Sequence, residues 1–511
     1  MGNYTIMLTF KTEKWQEDII NKRLEIGRKI YNACLNELFK RYRTMEQSKV
    51  YRKEWKNLRE INKDIDNCKK DDKKKVKLEK KKLLINKDLR DIKKKFKLYT
   101  PKSSKFKEAL LRSVYVPMQH YFKKHIQQEI TDKIADRAVE TFYKYMYDGY
   151  GKPQFKKFGE FNSIENRRNS CGIIFKGNII KWGKLKIPIV CRKNDIYVQT
   201  ALGKDKVKYS RIVRKFVRGK YKYYVQLILE GVPPSKLNKD TISKGSVGID
   251  IGTQTIAICS KKVVKLLELS PEIQNIDKER KRLLMKLKRS RRATNASKYN
   301  KDGTLNENNK DNWIKSNHYI KTQLQLREMY RRQADIRRQS HNKLAKYILS
   351  LGDTVYVETM NYKALQRKAK KTIINKKTGK CNRRKRFGKS IGNKAPSMLL
   401  DILDNKLKYQ NKELIKINTW KVKASQYNHI NQKCVKKAIN ERWKVLNYKG
   451  KEIKIQRDLY SAFLIMNVND DLESVNNELC DKLFDDFIIF HDQEIERIRI
   501  SNNKRISSMG I

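Results

Sequence analysis

Three carboxylates stand within or beside short hydrophobic segments of the chain. Asp250 is the single charge in the apolar run 247–253, Glu358 lies near the end of the β-rich run 355–361, and Asp458 begins an apolar helical pattern. Burial of an isolated carboxylate is costly unless it binds a cation. Oxygen ligands suit Mg²⁺, and acids from separate elements can hold two ions about 3.5–4 Å apart. The acids therefore indicate a two-metal nuclease site, and a solvated or capping role is the alternative for each acid taken alone.

The contexts of these acids resemble the split RuvC nuclease of transposon-encoded TnpB proteins and compact type V CRISPR effectors. The family motif G-[IVL]-D-x-G corresponds to GIDIG at 248–252, and [VIL]-E-[DTN]-[LM] corresponds to VETM at 357–360. The third motif, D-x-N-A-A, corresponds to DLYSA at 458–462. It is the weakest match, because Tyr460 replaces the Asn of the motif and Ser461 replaces an Ala. A weaker likeness extends upstream to Gly151 and, in layout, over most of the chain.

This resemblance implies a function and a mechanism. Asp250, Glu358 and Asp458 would bind two Mg²⁺ (or Mn²⁺) ions, one activating a water for in-line attack on a phosphodiester and the other stabilising the leaving oxygen. A guide RNA would select the target DNA by base pairing, and the protein would read a short flanking motif. The resemblance covers two branches, in which the guide comes from a CRISPR array or from a transposon.

The segment 423–455, called the ribbon-like segment here, departs most from the family. Related proteins carry two C-x-x-C pairs there that form a zinc ribbon. This chain has Asn428 and Asn431 at the first pair of cysteine positions, while His429 and Cys434 remain. Two ligands do not complete a four-coordinate site, so we expect no structural zinc and predict that packing holds the segment together.

The charge of the chain predicts a polyanionic partner. Lys and Arg number 120 against 55 Asp and Glu, a net charge of +65, which favours nucleic acid. A membrane partner is not expected, because no apolar run approaches about 18 residues and no signal peptide opens the chain. The eight cysteines are scattered, as is typical of reduced cytosolic proteins. We predict a cytoplasmic, nucleoid-associated prokaryotic protein.

Basic clusters mark candidate contacts to nucleic acid. They fall in the lysine-rich stretch 69–97, around 211–218, in 278–292 and in the loop 366–396. Apolar residues at helical spacing within the first and third clusters favour helices, and a solvated helix face is the alternative interpretation. The candidate residues are Lys73, Lys74, Lys75, Arg211, Arg214, Lys286, Arg289, Arg291, Arg292, Arg383, Arg384 and Arg386.

The pattern of elements predicts a multidomain α+β protein. An RNase H-like (RuvC) α/β nuclease would be split by insertions and joined to a small β-barrel wedge domain and a helical recognition lobe. Short runs in 171–230, including 195–198, are predicted as barrel strands, 295–312 as a flexible loop, and 319–351 as a long helix. The predicted divisions are 1–10, first wedge strand; 11–148, recognition lobe; 149–240, wedge barrel; 241–270, RuvC first part; 271–351, basic helical insertion; 352–422, RuvC second part with a basic lid loop; 423–455, ribbon-like segment; and 456–511, RuvC third part with an acidic amphipathic tail.

Two rival functions remain open at this stage. The altered third motif and the lost zinc ligands are compatible with a nuclease-inactive, RNA-guided DNA-binding protein. The other rival is a guide-free RuvC-type nuclease or transposase, although such a nuclease would not need so large a basic helical lobe. For the tail at 470–500 we favour a helix packed on the nuclease, and a homodimer contact is the alternative.

Overall fold

A computed structural model gives a mixed α+β architecture that divides into two compact units, Met1–Pro234 and Ser235–Ile511. For 73 and 106–111 only the backbone is described. The structure describes residues 2–68, 73–98, 106–192, 194–234, 243–367, 372, 374, 387–436, 438, 441–501 and 509–511.

The first unit contains a seven-stranded antiparallel sheet in the order β2-β6-β7-β1-β5-β4-β3. Its central strand, β1, was predicted from alternating hydrophobicity, and that strand is confirmed: every second side chain from Tyr4 to Phe10 is buried. The strands are β1 (Asn3–Phe10), β2 (Ser163–Glu165), β3 (Ile173–Lys176), β4 (Ile179–Trp182), β5 (Leu185–Val190), β6 (Val207–Val217) and β7 (Lys220–Glu230).

The buried side chain of Asn166 links β6 and β3, which lie in opposite halves of this sheet. Its Oδ1 accepts a hydrogen bond from the backbone N–H of Ser210 in β6 (3.0 Å), and its Nδ2 donates to the carbonyl of Ile173 in β3 (2.7 Å). The sheet therefore curls as the predicted barrel requires. Among the described strands, β2 and β3 remain its edges, so the barrel is partly open.

Helices make up the rest of the first unit. The second half of the predicted recognition lobe includes α4 and α5, and α1 packs against both. The predicted strand at 195–198 is wrong, because Asp195 caps a helix there by accepting from the N–H of Val198 (3.2 Å). The helices are α1 (Lys14–Gln47), α2 (Lys49–Asn67), α3 (Lys73–Lys95), α4 (Phe106–Tyr121), α5 (Gln128–Tyr147) and α6 (Ile196–Lys204).

The second unit is built on a five-stranded mixed sheet in the order β10-β9-β8-β11-β12. β8, β9 and β10 are antiparallel neighbours, whereas β11 runs parallel to both β8 and β12. Two hairpins, β13–β14 and β15–β16, lie in the ribbon-like segment, and the second ends one residue beyond it. The strands are β8 (Ser246–Ile251), β9 (Thr255–Ser260), β10 (Val264–Glu268), β11 (Thr354–Glu358), β12 (Ile415–Ile417), β13 (Tyr427–Asn428), β14 (Lys433–Cys434), β15 (Trp443–Tyr448) and β16 (Lys451–Gln456).

Helices cover both faces of the five-stranded sheet. α8 and α11 contribute to the hydrophobic core on one face, and α13 and α14 contribute to the core on the other. The predicted long helix is confirmed as α8, and the predicted tail helix as α14. The helices are α7 (Asp277–Thr294), α8 (Asn317–Leu351), α9 (Tyr362–Leu365), α10 (Gly388–Lys394), α11 (Pro396–Lys408), α12 (Thr419–Val422), α13 (Arg457–Met466) and α14 (Asn477–Ile500), with a 3-10 helix at Ala296–Lys298.

The segment 295–312 has more structure than the flexible loop predicted for it. Asn295 is buried and exchanges two hydrogen bonds with the backbone of Ile314, donating at 2.9 Å and accepting at 2.8 Å. Lys298 is also buried and donates to Asn309 Oδ1 (3.0 Å). The polar composition that suggested disorder supplies side chains that close the loop.

Candidate active site

Strand alternation places two of the predicted acids on the same face of the sheet. Val247, Ile249 and Ile251 of β8 belong to the core shared with α8, so Gly248 and Asp250 point to the opposite face. The same period in β11 sends Glu358 to that face. β8 and β11 pair in parallel with Val357 opposite Ile249, so Asp250 and Glu358 come next along the two strands.

Gly248 allows α13 to approach this face of the sheet. A Cβ at Gly248 would lie 2.1 Å from the carbonyl oxygen of Ala462 and 2.4 Å from the backbone nitrogen of Met466. No side chain fits between the strand and the helix at such distances. The first glycine of the GIDIG motif is therefore required for the docking of α13, the helix that carries Asp458.

Asp458 lies in the first turn of α13. The side chain of Gln456 caps this helix by accepting from the N–H of Leu459 (2.8 Å). The first turn of a helix favours negative charge because its backbone N–H groups point out of the helix. Helix docking and capping together fix the third acid beside the two strands.

The three carboxylates interact electrostatically. Desolvation raises the pKa of Asp250 well above its usual range, and the charges of Glu358 and Asp458 add to the shift. Desolvation and the charge of Asp458 also raise the pKa of Glu358. Burial and the charges of Asp250 and Glu358 raise the pKa of the Tyr362 hydroxyl, which is 3.4 Å from the carbonyl of Ile251. Like charges in a poorly solvated site favour the arrival of a cation.

Two arginines that the sequence analysis did not select pair with Asp458. Arg442 Nη1 is 3.1 Å from Asp458 Oδ2, and Arg457 Nη2 is 3.2 Å from Oδ1. Arg457 immediately precedes Asp458 in the chain, so the sequence alone indicates that the two residues are close. Arg442 reaches the site because its carbonyl accepts from the N–H of Arg457 (2.8 Å), which continues the β15–β16 hairpin. Only the pairing of those strands reveals it.

The donor set suits a hard divalent cation such as Mg²⁺ or Mn²⁺, since all three groups are carboxylates. In the described part of the chain, however, no three His, Cys, Asp or Glu side chains are grouped closely enough to hold an ion as they stand. Arginines engage both oxygens of the Asp458 carboxylate. The ligand roles of the three acids stay predictions.

Asn428 and Asn431 shape the ribbon-like segment through turns. Asn428 Oδ1 accepts from the N–H of Ile430 and Asn431 Oδ1 from that of Lys433, each at 3.1 Å. A side chain that bonds the backbone two residues ahead forms an Asx turn. These asparagines therefore organise the loop through hydrogen bonds of their own.

Tyr460, the departure from the third motif, fastens the ribbon-like segment to α13. Its buried hydroxyl accepts from the N–H of His429 (3.1 Å) and lies 2.6 Å from Nδ1 of that residue. Phe463 and Phe484 pack around the imidazole. His429 Nε2 has no hydrogen-bond partner among the described residues, and Asp481 Oδ1 is 3.6 Å away. Tyr460 thus connects α13 to the ribbon-like segment through a buried hydrogen bond.

The basic residues predicted on 278–292 lie on α7. Lys286, Arg289, Arg291 and Arg292 are all exposed, and Leu283 and Leu287 form the buried stripe of the helix. Two of these arginines are oriented by aromatic rings. Arg291 lies 5.0 Å from the ring centre of Trp313, and Arg292 lies 5.3 Å from that of Tyr299. α7 therefore offers a cationic face, as expected, and contact with nucleic acid stays a prediction.

The remaining basic candidates differ in their surroundings. Lys74 is exposed and Lys75 half-buried in α3, whose first residue, Lys73, has an undescribed side chain. Arg211 is half-buried and forms an ion pair with Glu165. The predicted contacts Arg383, Arg384 and Arg386 lie outside the described residues.

Arg214 lies inside the first unit, although it was predicted to face nucleic acid. It is 6% exposed, and its guanidinium donates to Asn162, Asn21 and the carbonyl of Gly159 at 2.7–3.1 Å. The ring centre of Tyr221 is 4.7 Å away. Because its donors are engaged within the protein, we assign Arg214 to packing. Its alternating position in β6 was the signal for burial.

No described helix is long and apolar enough to cross a membrane.

Comparisons with known proteins leave the family open. No protein-family model matches the chain, and no curated protein matches it significantly. The cryo-EM structure of a Cas12f1–sgRNA–target DNA complex aligns at 10% identity and TM-score 0.39, over 91% of this chain and 99% of that chain. The cryo-EM structure of a CRISPR-Cas12f ternary complex aligns at 13% identity and TM-score 0.25, over the same shares of both chains. Similarity at this level identifies no family, so the function is argued from the residues.

Proposed function

We propose that this chain is an RNA-guided DNA endonuclease in which Asp250, Glu358 and Asp458 hold divalent metal ions for phosphodiester hydrolysis. One observation carries the proposal. Two adjacent parallel strands and the first turn of a helix bring acids from three separate motifs into one electrostatic cluster. A protein that used these motifs only for packing would have no reason to collect three repelling carboxylates.

Charge and motif resemblance support the RNA-guided part of the proposal. The net charge of +65 calls for a polyanionic partner. A folded guide RNA is a larger polyanion than a short DNA site, and the exposed arginines of α7 offer a surface for phosphates. The three RuvC-like motifs resemble those of proteins that use such guides.

The residues of the site would act through position and charge. Strand β8 fixes Asp250, and the desolvation that raises its pKa makes its ionised form depend on a nearby cation. The helix turn beneath Asp458 favours its negative charge. Arg442 and Arg457 neutralise Asp458 until it is needed as a ligand. Divalent cations bound there would activate the attacking water and neutralise charge on the leaving oxygen.

The test is to express the protein with its native flanking DNA and to sequence the nucleic acid that survives purification. We expect a discrete RNA with a constant scaffold and a variable end, and cleavage of matching DNA in Mg²⁺. Random fragments, or cleavage that needs no RNA, would contradict guided recognition. The genomic origin of the RNA would also show whether a CRISPR array or a transposon end supplies the guide.

A nuclease-inactive, RNA-guided DNA-binding protein is the second candidate. The pairing of Asp458 with Arg442 and Arg457 favours it, because both carboxylate oxygens are engaged. The replacement of the motif asparagine by Tyr460 points the same way. Guided binding to matching DNA without cleavage, in either Mg²⁺ or Mn²⁺, would select this candidate over the endonuclease.

A further inference from the structure

Trp420 is a large aromatic side chain held at the surface. The residue is 86% exposed, although burial of an aromatic ring is normally favourable. The short helix α12 that carries it is anchored, since Val422 is buried and Thr419 Oγ1 accepts from the N–H of Thr359 (2.9 Å). The chain therefore fixes the backbone beneath Trp420 and leaves the ring in solvent.

The position of Trp420 relates it to the candidate active site. Ile417, the last residue of β12, is in register with Glu358, the last residue of β11. Thr359, which bonds to α12, is the next residue after Glu358. Trp420 therefore lies just beyond the end of the sheet where Glu358, one of the candidate metal ligands, is placed.

A surface depression of about 390 Å³ adjoins the indole. Its lining includes Asn418, Asp471 and Glu473 beside Trp420. The carboxylates there disfavour a phosphate group, whereas a nucleobase brings a flat face for the indole and donor groups for oxygens. A cavity of this size accommodates one planar heterocycle.

Positive charge flanks the depression on the same segment of chain. Lys416 and Lys423 are exposed, and Lys421 forms an ion pair with Glu473. Lysines that precede and follow a stacking residue in the chain suit the phosphates that flank a base. This arrangement favours a polynucleotide strand over an isolated heterocycle.

We propose that Trp420 is a substrate-positioning residue that stacks on an unpaired base of the DNA strand presented to the three acids. The identity of the strand rests on the proposed nuclease function. Aromatic stacking tolerates any base, so Trp420 would hold the strand in place without selecting its sequence. That property suits a protein in which a guide supplies the specificity.

The experiment compares Trp420→Ala, Trp420→Tyr and a control, Trp15→Ala, which removes another exposed tryptophan (52%) from the first unit. Tryptophan fluorescence is titrated with single-stranded oligo-dT and with oligo-U in chelator. Cleavage of matching DNA by the protein purified with its RNA is measured separately in Mg²⁺. Thermal unfolding checks that each variant folds. We expect oligo-dT to quench part of the tryptophan fluorescence of the wild type and of Trp15→Ala. This quenching should be absent in Trp420→Ala.

In the cleavage arm, loss of one base stack should lower kcat/KM about ten- to a hundredfold for Trp420→Ala. Trp420→Tyr should recover most of the loss. Equal quenching in wild type and Trp420→Ala, or unchanged cleavage, would overturn the proposal. Quenching by oligo-U but not by oligo-dT would also overturn it, because the ring would then contact RNA. Absence of cleavage in all variants, with quenching intact, would instead refute the nuclease function.

Discussion

At the residue scale, Asp250 indicates a function because its burial makes the free energy of folding less favourable. Its pKa is raised by desolvation and by two neighbouring carboxylates, and a structural role would not select such a residue. The sequence revealed this conflict through one charge within an apolar run. The arginines at Asp458 and the exposure of Trp420 gave no comparable signal, because each depends on which elements become neighbours.

Replacement of Asp250 by Asn should raise the melting temperature of the protein in chelator. The change removes a desolvated charge and its repulsion by Glu358 and Asp458 while it preserves side-chain shape. Differential scanning fluorimetry measures the shift. Asp486→Asn, an exposed change on α14, serves as the control and should leave the melting temperature nearly unchanged. An equal or lower melting temperature for Asp250→Asn would argue against the charge cluster.

At the element scale, the contact between β8 and α13 organises the site. The strand could be predicted from its apolar alternation, and the helix from the apolar run after Asp458. The only sign of their close approach was a glycine in the motif. Glycine has several roles in strands, so the sequence alone did not identify this role. The structure identifies which role applies.

Gly248→Ala should destabilise the protein by at least about 2 kcal/mol, because the new methyl group would meet backbone atoms of α13 at 2.1 and 2.4 Å. Urea unfolding measures the loss. The matched control is Gly252→Ala in the same motif, where the nearest atom to a Cβ is Thr255 O at 3.4 Å. We expect a clearly smaller cost there, and equal costs at both glycines would contradict the proposed docking.

The ribbon-like segment should lose stability in acid through His429. Burial lowers the pKa of His429 to about 4, against an ordinary 6.5. The folded state then binds fewer protons than the unfolded state, so stability is complete above pH 6.5 and declines as the pH falls towards 4. The facing groups are Tyr460, whose pKa is raised, and Asp481, which partly opposes the His429 shift.

The test compares the melting temperatures of wild type and His429→Gln across this pH range. The difference in favour of wild type should be largest at neutral pH and shrink on acidification, because glutamine does not titrate. Buried His341 and His491 also have lowered pKa values, and they contribute equally to both proteins. A difference that is constant with pH would exclude His429 as the titrating group.

At the scale of the whole molecule, charge is the dominant property. A net charge of +65 predicts binding to nucleic acid that depends steeply on salt, because each neutralised phosphate releases counterions. For six to ten phosphate contacts, affinity should fall roughly 10³- to 10⁵-fold between 50 and 200 mM salt. Filter binding at several salt concentrations measures this slope, and a flat dependence would rule out an electrostatic interface.

Several elements of both units were predictable because their patterns are local: alternation for β1 and β8, and an uninterrupted helical period for α8. The two failures have different causes. In α6, β-branched residues suggested a strand, but the cap at Asp195 started a helix. The buried environment of Arg214 arises from tertiary packing, which net charge does not encode.

The most direct test of the account is DNA cleavage by the protein purified with its RNA, compared with the Asp250→Ala variant, in Mg²⁺ and in chelator. The account predicts cleavage by the wild-type complex in Mg²⁺ alone, and loss of cleavage in Asp250→Ala with binding to the matching DNA retained. Cleavage that persists in Asp250→Ala, or that survives chelation, would contradict the assignment of the three acids as the metal-binding nuclease site.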